Sequence, residues 1–227
     1  MSATPHPHPE DGPIAKTPRR SKRRIATEEK LIQAVGALLR EGGVDALGVN
    51  AVDREAGVDK VLIYRYFDGL EGLLTRYSES VDFWPSIDEI LGPDREVLAD
   101  PDPQRVAGRI MANYARAIRS RPVTVQLLAW ECNERNALTI AVEDVRERWA
   151  TQLNEEMLRA GLPLTPQFGV LAALFTSAIH YLAIRSRSIQ RFGGVDVGSD
   201  AGWDAMIETM ERAFGAFYPP DTPSSPS

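Results

Sequence analysis

The stretch EAGVDKVLIYRYF, residues 55–67, brings a lysine, an arginine and two tyrosines together within thirteen positions. Read as a short helix, it puts Ile63 and Phe67 four residues apart on one face, with Val58 beneath them. Lys60, Val61, Tyr64 and Arg65 then fall on the other face. A helix this short is not stable by propensity, so one face must pack and the other is left free. Leaving Val61 and Tyr64 in water has a hydration cost and calls for a partner. The major groove of double-stranded DNA supplies thymine methyls, guanine acceptors and flanking phosphates. Tyrosine hydroxyls and arginine can hold those phosphates and fix register.

Other chemistry is poorly provided for. Cys132 and His180 could be imagined as a nucleophile and its base, but the chain has three histidines, and His6 and His8 sit near its start. There is no Gly-rich phosphate loop, no HExxH and no paired CxxC. No enzyme activity, metal site or cofactor is therefore expected, and Cys132 reads as a buried small residue. A single cysteine gives no internal disulfide framework, which suits a reducing cytoplasm. No unbroken apolar run approaches the ~20 residues of a membrane span, and the first 26 residues lack the apolar segment of a secretory signal, so no membrane partner is expected.

The net charge of −6 argues against nucleic acid until its distribution is considered. Residues 16–76 hold twelve Lys/Arg and nine Asp/Glu, a net of +3, whereas residues 77–227 carry a net of −7. A mildly basic front on an acidic body fits a small charged reader, and it fits a solvated tail on a neutral domain equally well.

The elements that would position the short helix follow from periodicity and punctuation. Residues 1–24 read as a disordered basic arm, with Pro5, Pro7, Pro9, Pro13 and Pro18 followed by Lys16, Arg19, Arg20, Lys22, Arg23 and Arg24. That arm is either solubilising or a phosphate-neutralising extension. A first helix is expected from Thr27, its cap, to Gly42–Gly43, with Leu31, Val35, Leu38 and Leu39 as its stripe. A second fits Val49 to Glu55, and a third fits Lys60 to Phe67, capped by Asp59. Gly57 lies between them, where a tight turn needs positive φ. A fourth runs from Leu70 to Val81. After a loose acidic stretch to Asp102, helices are expected over Pro103–Arg119, Pro122–Asn133, Asn136–Ala160, Thr165–Phe192 (stopped by Gly193–Gly194) and Ser199–Tyr218. No strand signal competes, and the fold reads as all-α. Residues 25–81 form a reading domain, 82–218 a helical body, and 219–227 a disordered tail.

Three short helices around a glycine turn match a helix-turn-helix. The segment EGGVDALGVNAVDREAGVDKVLIYRYFDGLEGLL, and residues 27 to about 76 around it, resembles the DNA-binding domain of the TetR family of bacterial transcriptional repressors. The AGV turn followed by I-Y-x-Y-F carries the likeness. The resemblance implies that Lys60, Val61 and Tyr64 face the groove, flanked by Leu62 and Arg65. It also implies that Asn50 contacts a base and Tyr66 a phosphate, and that Val52, Ala56, Val58, Ile63 and Phe67 are structural. Four positions depart from the family pattern: Gly48 stands where a capping hydroxyl is common, Asp53 where a small Ala is usual, Leu62 for a Ser or Thr, and Leu70 for a phosphate-binding lysine.

For the rest of the chain the resemblance implies a C-terminal helical domain for ligand binding and dimerisation. The homodimer would use the last two helices, with Leu171, Leu174, Ala178 and Leu182 on one and Trp203, Ile207, Met210 and Phe214 on the other. Plain core packing is the competing account of the same side chains. A small-molecule effector would bind among Met111, Tyr114, Leu127, Trp130, Glu131, Phe175 and His180, and release the protein from an inverted-repeat operator. The alternatives are a helical interaction module that has lost DNA binding, and a small all-α enzyme.

Overall fold

The computed structural model describes residues 22–80 and 83–218. The arm up to residue 21, the tail from 219, and residues 81–82 lie outside the described residues. Among the described residues the strands are confined to one short hairpin and every other regular element is helical, so the fold is all-α.

Helix α1 spans Lys22–Gly42 and buries Leu31, Val35 and Leu39. It starts a turn earlier than its expected cap. Thr27 does not cap it; its hydroxyl turns back and donates to the Arg23 carbonyl at 2.8 Å, as a helix-interior threonine does. Arg24 pairs with Glu28 at 2.7 Å across the same turn. Lys22, Arg23 and Arg24 therefore belong to a helix, not to an unstructured arm.

Helices α2 (Val49–Ala56), α3 (Val61–Phe67) and α4 (Leu70–Ser78) complete the front of the molecule. Val52, Ile63 and Leu73 are fully buried beneath α1. Helix α5 (Ile87–Leu91) and a 3-10 turn over Glu96–Ala99 give regular structure to the loose acidic stretch before Asp102, where none is expected from the sequence. Ser86 caps α5 by accepting from the Glu89 amide.

The body is built from α6 (Pro103–Arg119), α7 (Pro122–Glu131), α8 (Ala137–Arg159), α9 (Pro166–Arg185) and α10 (Asp200–Phe217). Each long helix starts where its punctuation says. Pro103 follows the Asp102 cap, Asn136 and Thr139 form a capping box, and Thr165 and Ser199 accept from the Phe168 and Gly202 amides.

Helix α9 stops at Arg185, not at Phe192. The remainder forms an antiparallel hairpin, β1 (Arg191–Phe192) with β2 (Val195–Asp196). Gly193 and Gly194 both have positive φ (57° and 85°), as a two-residue turn of the type I′ kind requires. These glycines turn a hairpin; they do not end a helix.

Two expectations about the last helices are corrected. Trp203, Ile207 and Phe214 do not form a dimer face, because α10 turns that stripe onto α6 and buries it to 2% exposure or less. Small residues let the two backbones meet: a Cβ on Gly108 of α6 would stand 2.3 Å from the Glu211 carbonyl oxygen, and one on Gly215 would stand 2.5 Å from that of Gln104. Helix α9 is the opposite case. It is twenty residues long, uncharged before Arg185, and among the described residues it is long and apolar enough to cross a membrane by length and composition. Scattered Gln167, Thr176, Ser177 and His180 hide that length from a search for an unbroken apolar run. Only Phe168, Ile179 and Ala183 of α9 are buried.

Candidate nucleic-acid interface and the aromatic cluster behind it

The α2–α3 turn is fixed by Gly57, whose φ of 62° and ψ of 36° are left-handed, and whose amide bonds back to the Asp53 carbonyl. Asp59 then accepts from the Val61 amide at 2.9 Å and starts α3. Ile63 plugs the helix into the core at 0% exposure, with Val58 and Phe67 packed against the same cluster. Asp68 closes the helix in a left-handed conformation, and α4 follows at once. Gly72 makes this possible, since a Cβ there would overlap the Phe67 carbonyl oxygen.

With Ile63 locked below, the opposite face of α3 is open. Val61 is 60% exposed and Tyr64 58%, and Lys60 and Arg65 are exposed beside them. Asn50, on α2, is exposed as well. Leu62 and Tyr66 are half-buried. The Arg24 guanidinium lies over the Tyr66 ring, 4.7 Å from its centroid, so the basic first turn of α1 rests against the end of α3. Sequence reasoning missed this contact because it ended the arm at Arg24. The helical spacing Arg24–Glu28 was the available signal.

A chain of rings leads from this head into the body. Tyr77 on α4 lies 6.0 Å from Phe83, Phe83 lies 6.1 Å from Trp84, and Trp84 meets Tyr114, Trp149 and His180 at 6.4, 6.5 and 6.1 Å between centroids. Tyr114 and His180 share a 2.6 Å hydrogen bond. Burial pushes the His180 pKa down to about 4, and the positive Arg146 nearby pushes the same way, so the imidazole is neutral at neutral pH. Burial likewise raises the Tyr114 hydroxyl above its ordinary value, against a smaller opposing pull from Arg146. Arg146 itself is held by Glu131 through two 2.9 Å bonds.

The seven expected effector residues therefore divide. Tyr114 and His180 meet, and Glu131 joins them through Arg146. Met111 and Leu127 are buried core, and Trp130 packs half-buried against that core. Phe175 lies elsewhere, edge-on to Phe214 at 5.1 Å, and lines an open apolar groove of about 530 Å³ between α9 and α10 with Leu174, Ala178, Leu182 and Met210. Leu174 and Ala178 are exposed there, and Leu171, Leu182 and Met210 are half-buried. Cys132 is exposed rather than buried, with its thiol directed to the Leu128 carbonyl.

Residues 31–77 match the family model of the bacterial regulatory proteins of the tetR family. The chain carries a TetR-family helix-turn-helix domain. Solved structures agree on the fold of the whole. A TetR-like transcriptional regulator from Rhodococcus sp. RHA1 superposes with a TM-score of 0.53 at 18% identity, covering 89% of this chain and 100% of that one. RolR, solved in complex with the ligand resorcinol, gives 0.52 at 17% identity, covering 89% and 99%. No curated protein matches the sequence. The TetR-family match includes the Gly57 turn, all of α3 and all but the last residue of α4.

Proposed function

We propose that the protein is a transcriptional regulator, a cytoplasmic repressor that binds an inverted-repeat operator as a homodimer and lets go when a small molecule enters its body. The observation that carries this reading is the seven-residue α3: Ile63 is fully buried, while Val61 and Tyr64 stand open beside Lys60 and Arg65. An apolar and cationic ridge of that kind suits a groove lined by methyls and phosphates. The TetR-family match over the same residues supports it. In this reading Lys60, Val61 and Tyr64 meet base edges, Asn50 reaches in from α2, and Arg65 and Tyr66 hold phosphates.

The uncovered face of α9 supports the dimer. Val170, Leu174 and Tyr181 are 62%, 62% and 48% exposed, and the groove beside them is apolar. Such a surface is unfavourable in water, and a second copy would cover it. Two heads related by a twofold axis would then read half-sites about 34 Å apart, or a multiple of that. Release needs an effector that prefers one arrangement of the body, with a coupling of typically ~1–3 kcal/mol. The rings from His180 to Tyr77 are the physical link through which α4 would feel it.

The test is a mobility shift on the DNA flanking the protein's own coding region. Tyr64→Ala and Lys60→Ala should each weaken binding by about tenfold, with stability unchanged within about 0.5 kcal/mol. Binding indifferent to both substitutions would favour a helical interaction module without DNA binding. Gly48 and Leu70, where the family has phosphate-binding residues, are what keep that second reading in play.

A further inference from the structure

Helix α7, PVTVQLLAWE, is apolar until its last residue except at Thr124 and Gln126. Val125, Leu127 and Leu128 beside them are buried. Polar side chains set among buried ones must find partners. Thr124 finds its own at the edge of the head, donating to the Phe83 carbonyl. Gln126, half-buried, reaches into the head itself. With its nitrogen facing an acceptor and its oxygen facing donors, its amide donates to the Leu39 carbonyl at 2.7 Å and accepts from the Arg187 guanidinium at 2.7 and 3.3 Å. Arg187 also donates to the Pro122 carbonyl at 3.2 Å.

Three elements meet in this clasp. Leu39 lies in the last turn of α1, Gln126 on α7, and Arg187 two residues beyond the end of α9. Both α1 and α9 pack against α7. The Leu39 carbonyl already accepts from the Gly43 amide at 3.1 Å, so α1 does not need Gln126 to close its own last turn. The second bond is left to decide how α1 sits on the body. Arg187 polarises the amide that points at α1, and the carbonyl end of that helix carries partial negative charge. The clasp is therefore charge-assisted from end to end.

Resting on the operator reading above, we propose that Gln126 and Arg187 are positioning residues that fix the angle of the reading head on the body, and with it the half-site spacing the dimer accepts. Helix α9 is the element whose open face would meet the second copy. The clasp ties the head to the end of that helix, along a path through α7 and α1 that bypasses α4 and its rings.

The experiment uses the full chain with spin labels at Glu55→Cys on α2 and Gln152→Cys on α8, both exposed, in a Cys132→Ser background. Labelled protein is diluted into unlabelled, so that double electron–electron resonance reads the head-to-body distance within one protomer. Gln126→Met keeps the length of the side chain and removes its donor. Gln126→Glu keeps a partner for Arg187 and sets a carboxylate against the Leu39 carbonyl. Arg187→Met removes the guanidinium. Each should broaden or shift the distance distribution while Tm stays within about 3 °C of the parent. Affinity for a single half-site should be unchanged, whereas the preference for the natural spacing over one longer by a base pair should shrink at least about threefold. Distributions identical to the parent in both Gln126→Met and Arg187→Met would overturn the proposal. So would equal losses on a single half-site and on the full operator, since the residues would then act through the fold of the head itself. Broadened distances with an unchanged spacing preference would uphold the clasp and remove its role at the operator. A parent that binds no DNA would remove the operator reading, and the distance distributions would then decide the clasp alone.

Discussion

Helices α9 and α10 carry apolar stripes of the same helical period, yet they use them in opposite ways. Helix α10 crosses α6 so closely that Trp203, Ile207 and Phe214 are sealed inside one protomer. Helix α9 presses Phe168, Ile179 and Ala183 inward and leaves Val170, Leu174 and Tyr181 in the open. The lesson is that an apolar stripe does not say whether its partner lies within the chain or outside it. Here the decision falls to Gly108 and Gly215, which let α6 and α10 approach to backbone contact. Among the described residues no such pair brings another helix onto the outer face of α9.

The largest effects should come from breaking the sealed side. Trp203→Ala should cost about 3–5 kcal/mol in chemical denaturation, since it empties a fully buried indole site and removes the bond to Val197. Gly108→Val should be comparably damaging, because the side chain meets the Glu211 backbone and not a flexible tip. A small loss in either would mean that α10 is held by something other than this crossing.

Next in size is a pH effect centred on the half-buried imidazole of α9. His180 has a folded pKa of about 4, below the free value of 6.5. As pH falls below about 6.5 the unfolded chain takes up a proton that the folded chain refuses. The imidazole's contribution to stability should therefore drop between about pH 6.5 and pH 4 and level off beneath, by at most about 3 kcal/mol. In His180→Gln the slope between pH 6.5 and 5 should flatten. An unchanged slope in that variant would mean that the imidazole is not kept neutral by its surroundings. Asp100, held by Arg105 at about 2, titrates below this window and does not confuse it.

The open side of α9 should respond differently. Leu174→Asp should leave protomer stability within about 0.5 kcal/mol, because the side chain is already 62% exposed. It should shift the protein to monomer in light scattering and weaken operator binding by at least about tenfold, as two linked heads become one. A variant that stays dimeric would move the interface off this face.

This contrast also explains what could be read from the sequence. The head was legible because its signals are local: Gly57 at a left-handed turn, Asp59 capping α3, and Ile63 four residues before Phe67. The starts of the body helices were legible for the same reason, from Pro103, Asn136, Thr165 and Ser199. Which stripe meets which was not, since Gly108 and Gly215 act across more than a hundred residues and carry no pattern of their own. The ring cluster was half visible. Tyr114 and His180 are among the expected effector residues, but Trp84 falls between two expected helices and belongs to neither. Trp149 sat among the charges of RERWATQLNEE, which look solvent-facing in one dimension.

The smallest predicted effect returns to the head, at the start of α2. Gly48 precedes α2 in an extended conformation that any residue can adopt, makes no side-chain cap, and has open space where a Cβ would stand. Gly48→Ser should therefore add a hydroxyl acceptor for the first amides of α2 and raise stability by only a few tenths of a kcal/mol, because glycine is itself a tolerated cap. The same hydroxyl would stand at the edge of the proposed DNA surface, close to Asn50 in sequence. If that surface is the one that meets phosphate, the variant should bind operator slightly more tightly. Its gain in affinity should exceed its gain in folding stability, because the second effect is capping alone and the first adds a contact. Equal or smaller gains on DNA would place the phosphate backbone away from the start of α2, and would shift the weight of the grip to Tyr66 and to the basic turn of α1 that rests on it.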